Sequence, residues 1–221
     1  MDELIHAVQP FTTTRLIKKR GIVLYQSEVP RSAFIVKKGL IRAYTITSSG
    51  EERTISLHAK NEIFPLSWIY GETPNTLFYF EAVTDSELLC IPKKKLLETV
   101  MSTPALMLVA LKFTVNSYTA LLLRVTALEQ SSAAEKIALT LYYLLIKHGI
   151  QKKPGLYTID IKMTQSMIAS LVGLTRESAA VNLKLLKKKK VLTYSNFSYV
   201  INKQNLERFV SEDSFKNLSL N

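Results

Sequence analysis

Arg176-Glu177-Ser178 is the stretch whose residue types and order could do the most specific chemistry in this 221-residue chain. An arginine can donate two hydrogen bonds to guanine, and a carboxylate accepts from the cytosine amino group, so the pair suits a G·C step. When a helix lies in a major groove, the side chains of its first turn meet base edges. The local spacing supplies that helix. Gln165, Ala169, Gly173, Thr175 and Ala179 fall at the first, fifth, ninth, eleventh and fifteenth places of a helix-turn-helix. The small fifth residue lets two helices cross closely, and Gly173 makes a left-handed turn cheap. Thr164 and Thr175 can cap the two helices, with Ser178 in the place of a capping-box acid. The expected DNA-contacting residues are therefore Thr164, Gln165, Ser166, Thr175, Arg176, Glu177, Ser178, Asn182, Lys184 and Lys188. The lysines, with Lys187, Lys189 and Lys190 beside them, would touch phosphates and set register rather than sequence. An Arg-Glu pair on an ordinary solvated helix is the plainer reading. The full spacing and the local charge weigh against it, as does a hairpin wing expected from Val191-Leu192-Thr193-Tyr194 and Tyr199-Val200-Ile201.

The charge balance points the same way. The chain carries 29 Lys and Arg against 18 Asp and Glu, a formal +11. Residues 130–221 hold 14 of the basic and 6 of the acidic side chains, a net +8, so a polyanionic partner is expected there. Catalytic chemistry finds little support. The histidines, His6, His58 and His148, have no metal-ligand spacing, and no nucleophile elbow, Walker loop or dinucleotide fingerprint appears. A lone Cys90 rules out an internal disulfide and a thiolate cluster, and reads as packing beside Leu88, Leu89 and Ile91. No enzyme activity, metal or cofactor is expected. The N-terminus lacks a secretory profile, and the most apolar run, Ala105 to Leu111, is broken by Lys112 well short of a membrane span. A cytoplasmic location is the expectation.

The elements that must position this chemistry fall into three parts: 1–103, 104–131 and 132–221. From about residue 18 to 92 there are short apolar or alternating runs, punctuated by Gly21, Gly39 and Ser49-Gly50, which predict a small antiparallel barrel or sandwich. Its aromatics Trp68, Tyr70, Phe78, Tyr79 and Phe80 read first as core packing, with the lining of a pocket as the alternative. Pro104 suits the first turn of a helix reaching about Glu129. On it Leu108, Leu111, Val115, Tyr118, Leu122 and Val125 repeat in alternating steps of three and four, the seam of a coiled coil. A second stripe (Leu106, Val109, Phe113, Ala120, Leu123) marks another face. Two stripes suggest contact with the chain's own barrel and with a second subunit. Burial of the helix in a monomer core is the rival reading. Ser131-Ser132 reads as a break before a helix from Ala133 to about Lys147, and Tyr157 to Ile161 as a short strand.

Taken together, an α+β chain with a β-roll, a long dimerisation helix, a hinge and a winged helix-turn-helix resembles the Crp/Fnr superfamily of bacterial transcription regulators. The resemblance spans about Lys18 to Val200 and is strongest from Thr164 to Leu186. It implies an N-terminal effector-type β-roll (double-stranded β-helix or jelly roll) and base reading by Arg176 and Glu177. It also implies duplex DNA with a near-palindromic operator, a second copy of the chain and RNA polymerase as partners. Three departures bear on the effector. Where members that bind cyclic AMP carry Gly-Glu and Arg-Ser or Arg-Thr pairs, this chain has Pro65-Leu66 and Thr76-Leu77, and the positions that meet adenine align with Leu121-Leu122. A cyclic phosphate without a cation and a purine without a polar partner bind poorly. The expected effector pocket (Trp68, Tyr70, Phe78, Phe80, Leu121, Leu122) therefore suits an uncharged ligand, or none binds and the pocket is filled. In the recognition helix the usual second arginine aligns with Val181, and Asn182 could read adenine.

The expectation is a homodimeric DNA-binding regulator controlled by something other than a cyclic nucleotide, or by no effector. The alternative is a ligand-binding or membrane-surface protein whose basic C-terminal region contacts anionic lipid.

Overall fold

In the computed structural model, which describes residues 1–159, 161–195 and 197–210, the short N-terminal runs pair antiparallel into two four-stranded sheets. A helix, α1 (Asp2–Val8), comes first. The strands are β1 (Thr13–Ile17), β2 (Ile22–Leu24), β3 (Ala33–Lys38), β4 (Ile41–Ile46), β5 (Glu52–His58), β6 (Ile63–Phe64), β7 (Tyr79–Ala82) and β8 (Ser86–Ile91). One sheet runs β1-β8-β3-β6 and the other β2-β7-β4-β5. Between β6 and β7 lies the short α2 (Leu66–Ile69), and after β8 come α3 (Lys93–Met101) and α4 (Pro104–Glu129). Strands are expected from about residue 18, and α1 and β1 precede that point unannounced by the sequence. Four of the five β1 positions are exposed, which erases the alternation that marks a half-buried strand.

Residues 1–116 form one compact unit with two apolar clusters. Inside the roll, Phe34, Val36, Ile41, Phe64, Phe80, Ala82 and Leu88 are buried together. Phe64 stacks on Phe34 at 5.4 Å and on Phe80 at 4.8 Å between centroids. His58, half-buried, tilts against Phe64 and Phe80. The second cluster joins α1, α3 and the start of α4 through Leu4, Val8, Trp68, Ile69, Leu96 and Ala110. Leu106, Val109 and Phe113 of the expected second stripe pack against it.

The other unit begins at Ser117, so the boundary falls inside α4 and not at its ends. The helix set apart in the sequence as 104–131 is thus shared between two units. Its C-terminal part is followed by α5 (Ala133–His148), whose start is capped by Ser132. The Ser132 hydroxyl accepts the Glu135 N–H at 3.1 Å and donates to the Glu135 carboxylate at 2.8 Å. Helix α5 is buried continuously from Ile137 to Leu145, and the other elements wrap it. They are β9 (Gly149–Lys153), β10 (Leu156–Ile159), α6 (Gln165–Val172), α7 (Arg176–Lys188), β11 (Leu192–Ser195), β12 (Ser198–Asn202) and α8 (Lys203–Val210). The strands form one sheet in the order β11-β12-β10-β9. Strand β9 replaces a stretch the sequence reads as loop, since Ile150-Gln151-Lys152-Lys153 is an exposed edge with no inward face.

Among the described residues α4 alone is long and apolar enough to cross a bilayer. Its length exceeds the apolar run Ala105 to Leu111 that the sequence reading weighs, because Lys112 and Arg124 are the only charges before Glu129.

Candidate nucleic-acid interface

The helix pair at 165–188 is built by local chemistry at each of its ends. The Thr164 hydroxyl accepts the Met167 N–H at 3.1 Å, capping α6. Gly173 ends that helix at φ 68° and ψ 31°, a conformation nearly free for glycine and costly for residues with a β-carbon. Leu174 then donates its N–H back to the Ala169 carbonyl at 3.0 Å. The Thr175 hydroxyl accepts the Ser178 N–H at 3.2 Å and starts α7. Ile168, Ala169, Leu171 and Val172 of α6 and Ala179, Leu183 and Leu186 of α7 are all buried. Two alanines, Ala169 and Ala179, stand where the helices pack, so the crossing can be close.

This burial leaves one face of α7 in solvent. Thr175, Arg176, Glu177, Lys184 and Lys187 to Lys190 are exposed, and Ser166 is exposed at the start of α6. Thr164, Gln165, Ser178 and Asn182 are half-buried. Thr164 and Thr175 spend their oxygens on capping, so their contribution to a ligand is positional. Asn182 donates its side-chain amide to the Ser178 carbonyl at 2.9 Å. It is turned onto its own helix, and reading adenine would require that bond to break.

The hairpin of β11 and β12 pairs Leu192 with Ile201 and Ser195 with Ser198. Tyr194 stacks on Tyr199 at 5.6 Å, and the Lys187 ammonium sits over the Tyr194 ring. Burial beside Tyr194 pushes the Tyr199 phenol up to about 12, so it stays neutral. A cleft of about 470 Å³ is lined by Thr164, Gln165, Ser166, Arg176, Tyr194, Phe197 and Tyr199. The structure thus brings the starts of both helices and the wing to one concavity, with a guanidinium at its edge.

On α4 the expected seam is open to solvent. Leu108, Leu111, Val115, Tyr118, Leu122 and Val125 are each between 47% and 59% exposed. Ala120, Leu123 and Ala127 on the opposite side are buried within the C-terminal unit. Arg124, which the sequence reading passes over, is also buried there. Its Nη2 donates to the Leu171 carbonyl at 2.9 Å, at the C-terminal turn of α6, and burial lowers its pKa from the usual arginine value. Only its position on the buried side of α4, one place after Leu123, could have signalled this in the sequence.

The residues expected to line an effector pocket are spread over different environments. Phe80 is part of the roll's phenylalanine stack, with Phe78 packed at its margin. Trp68 is buried in the other cluster, with the Lys93 ammonium over its ring. Tyr70 lines an apolar groove of about 320 Å³ with Met101, Met107 and Leu111. Leu121 and Leu122 are exposed on α4.

Thr76, expected at the place of a cyclic phosphate, is buried with its polar groups satisfied within the chain. Its hydroxyl donates to the Tyr25 carbonyl at 2.6 Å and its N–H to the Glu28 carbonyl at 2.9 Å. The strand cations Arg42 and Arg53 are also committed. Arg42 is held by Glu81 at 2.8 Å and by Glu52, and Arg53 pairs with Glu51. Cys90 is half-buried, and burial pushes its thiol up, away from thiolate chemistry. Among the described residues no group of three His, Cys, Asp or Glu is placed to hold a metal ion.

Two family models match. Residues 14–103 match the cyclic nucleotide-binding domain, and residues 135–209 match the Crp-like helix-turn-helix domain. The chain is similar to the anaerobic regulatory protein of Bacillus subtilis (strain 168), 22% identical over 90% of this chain and 84% of that protein. It is similar to the fumarate and nitrate reduction regulatory protein of Vibrio cholerae, 23% identical over 87% of this chain and 74% of that protein. Among solved structures it superposes on FixK2 from Bradyrhizobium japonicum with a TM-score of 0.74, at 19% identity, covering 89% of this chain and 96% of that one. A CooA mutant from Carboxydothermus hydrogenoformans gives a TM-score of 0.75 at 22% identity, with 94% of each chain covered.

Proposed function

The chain belongs to the Crp/Fnr superfamily of transcription regulators and carries its helix-turn-helix DNA-binding domain, and from that premise we propose that it acts in the cytoplasm as a homodimer on a near-palindromic operator. Arg176 and Glu177 read a G·C step in each half-site, and the lysines at the end of α7 hold the flanking phosphates. The observation that carries this reading is the exposed first turn of α7, fixed by the Thr175 cap beside a cleft that the wing completes. A dimer with parallel α4 seams presents two such helices, whose half-site centres lie about one helical turn apart, roughly 34 Å.

The roll in this reading does not answer to cyclic AMP or cyclic GMP. A cyclic phosphate beside Thr76 would displace two hydrogen bonds and find no uncommitted cation on β4 or β5. An uncharged ligand, or no ligand at all, fits the filled interior better. Footprinting on genomic fragments, beginning with the chain's own promoter, tests the reading. Protection of a discrete near-palindrome that survives excess random duplex supports the reading. Binding to anionic vesicles with no duplex preference favours instead the membrane-surface alternative, in which the basic C-terminal region contacts anionic lipid.

A further inference from the structure

A large apolar side chain stands at the tip of the wing without a role in the reading above. Phe197 is 59% exposed and its backbone lies at φ 67°, a region that bulky residues rarely occupy. A tight hairpin connection of this kind normally takes glycine, asparagine or aspartate. The Phe197 carbonyl accepts the Met163 N–H at 3.0 Å, which ties the tip to the residue before the Thr164 cap. Its side chain lines the same cleft as Gln165, Ser166 and Arg176. From Val191 to Asn202 the wing has no charged residue at all, in a chain of net charge +11. A wing that worked by attracting phosphates would carry lysine or arginine.

We infer that Phe197 is a DNA-contacting residue whose ring packs on the deoxyribose of the strand lying in the cleft beside Arg176. The contact is apolar and independent of sequence, because every nucleotide offers the same sugar face. Backbone strain of this kind persists where surrounding structure enforces it, and the Met163 hydrogen bond does so here. The inference rests on the DNA-binding reading of this face.

The test is fluorescence anisotropy of the full chain with operator and random duplexes over a series of salt concentrations, for wild type, Phe197→Gly, Phe197→Tyr and Arg176→Ala. Phe197→Gly is expected to weaken both duplexes by the same factor, about tenfold, the effect of burying half an aromatic ring. The salt slope stays unchanged, and the melting temperature is unchanged or higher because glycine suits the left-handed backbone. Phe197→Tyr keeps wild-type affinity within about twofold, since a ring of nearly the same size remains. Undiminished binding by Phe197→Gly overturns the inference, as does a flattened salt slope or a loss confined to the operator. A lowered melting temperature that Phe197→Tyr does not restore makes the residue structural and overturns it as well. Equal losses on both duplexes in Arg176→Ala count against base reading but leave Phe197 untouched. A wild-type chain that binds no duplex removes the reading on which both rest.

Discussion

Replacing Leu111 and Leu122 together by alanine isolates the α4 seam, because alanine preserves helix propensity while removing apolar surface. Both leucines leave about half their surface in solvent, 57% and 47% exposed. Burying a leucine side chain completely is worth about 1.5–3 kcal/mol, so covering the exposed half contributes about 1 kcal/mol. A two-fold dimer buries four such side chains, so the double variant loses about 4 kcal/mol of association free energy, near a thousandfold in Kd. The total from all six seam positions is of the same order as the ~4–15 kcal/mol cost of association, so the absolute affinity does not follow, but the difference does. Sedimentation equilibrium should show a wild-type dimer at micromolar concentration and a variant that is largely monomeric. Its circular dichroism should stay near wild type, while its melting temperature falls toward that of the free monomer because the partner no longer stabilises the folded state. The matched pair Leu106→Ala and Phe113→Ala, on the face packed against α1 and α3, should do the reverse and destabilise the N-terminal unit. A soluble wild-type monomer that binds its operator normally refutes the argument, as does a Kd shift below tenfold in the double variant.

Arg176→Ala should cost about 1–3 kcal/mol at the operator and relax preference at one base pair, whereas Lys188→Ala should weaken all duplexes alike and reduce the salt slope, both read by gel shift. Gly173→Ala forces a β-carbon into φ 68° and should destabilise the C-terminal unit by about 1–2 kcal/mol in thermal melts; an unchanged melting temperature means the turn relaxes freely. Burial, with Lys147 nearby, pushes His148 down from 6.5 to about 3, and its Nε2 has no hydrogen-bond partner. The unfolded chain therefore binds a proton below about pH 6.5 that the folded chain refuses until about pH 3, so stability falls with pH across that window by up to about 1.4 kcal/mol per unit. His148→Leu should flatten that slope in denaturant titrations at several pH values. Calorimetric titration with cyclic AMP should show no saturable binding tighter than about 10 μM, an affinity that would need an unpaired buried charge to be compensated.

The helix-turn-helix was legible because its signals are local. Two threonine caps, one turn glycine and two alanines act within a few residues of themselves, and they act the same way in any chain that places them at this spacing. The α4 seam was legible for a related reason, since a stripe along one helix is a property of that helix alone. Which stripe faced its own unit was a tertiary matter: Phe113 found the cluster with Trp68, and Leu111 was left outside. The fate of the aromatics near residues 68–80 was likewise invisible in the sequence, because Trp68, Tyr70 and Phe80 are neighbours along the chain but α2 and β7 send them to separate packing environments. Thr76 reads as a gap where a cation is missing, and only the approach of the 25–28 segment reveals that its hydroxyl and amide are already satisfied. Asn182, Arg124 and Phe197 make the same point at the DNA-binding end. Residue type gives each a capacity for hydrogen bonding, charge or apolar contact. Whether that capacity is spent internally, as with Asn182 on Ser178 and Arg124 on Leu171, or held out to a ligand depends on contacts that packing alone creates.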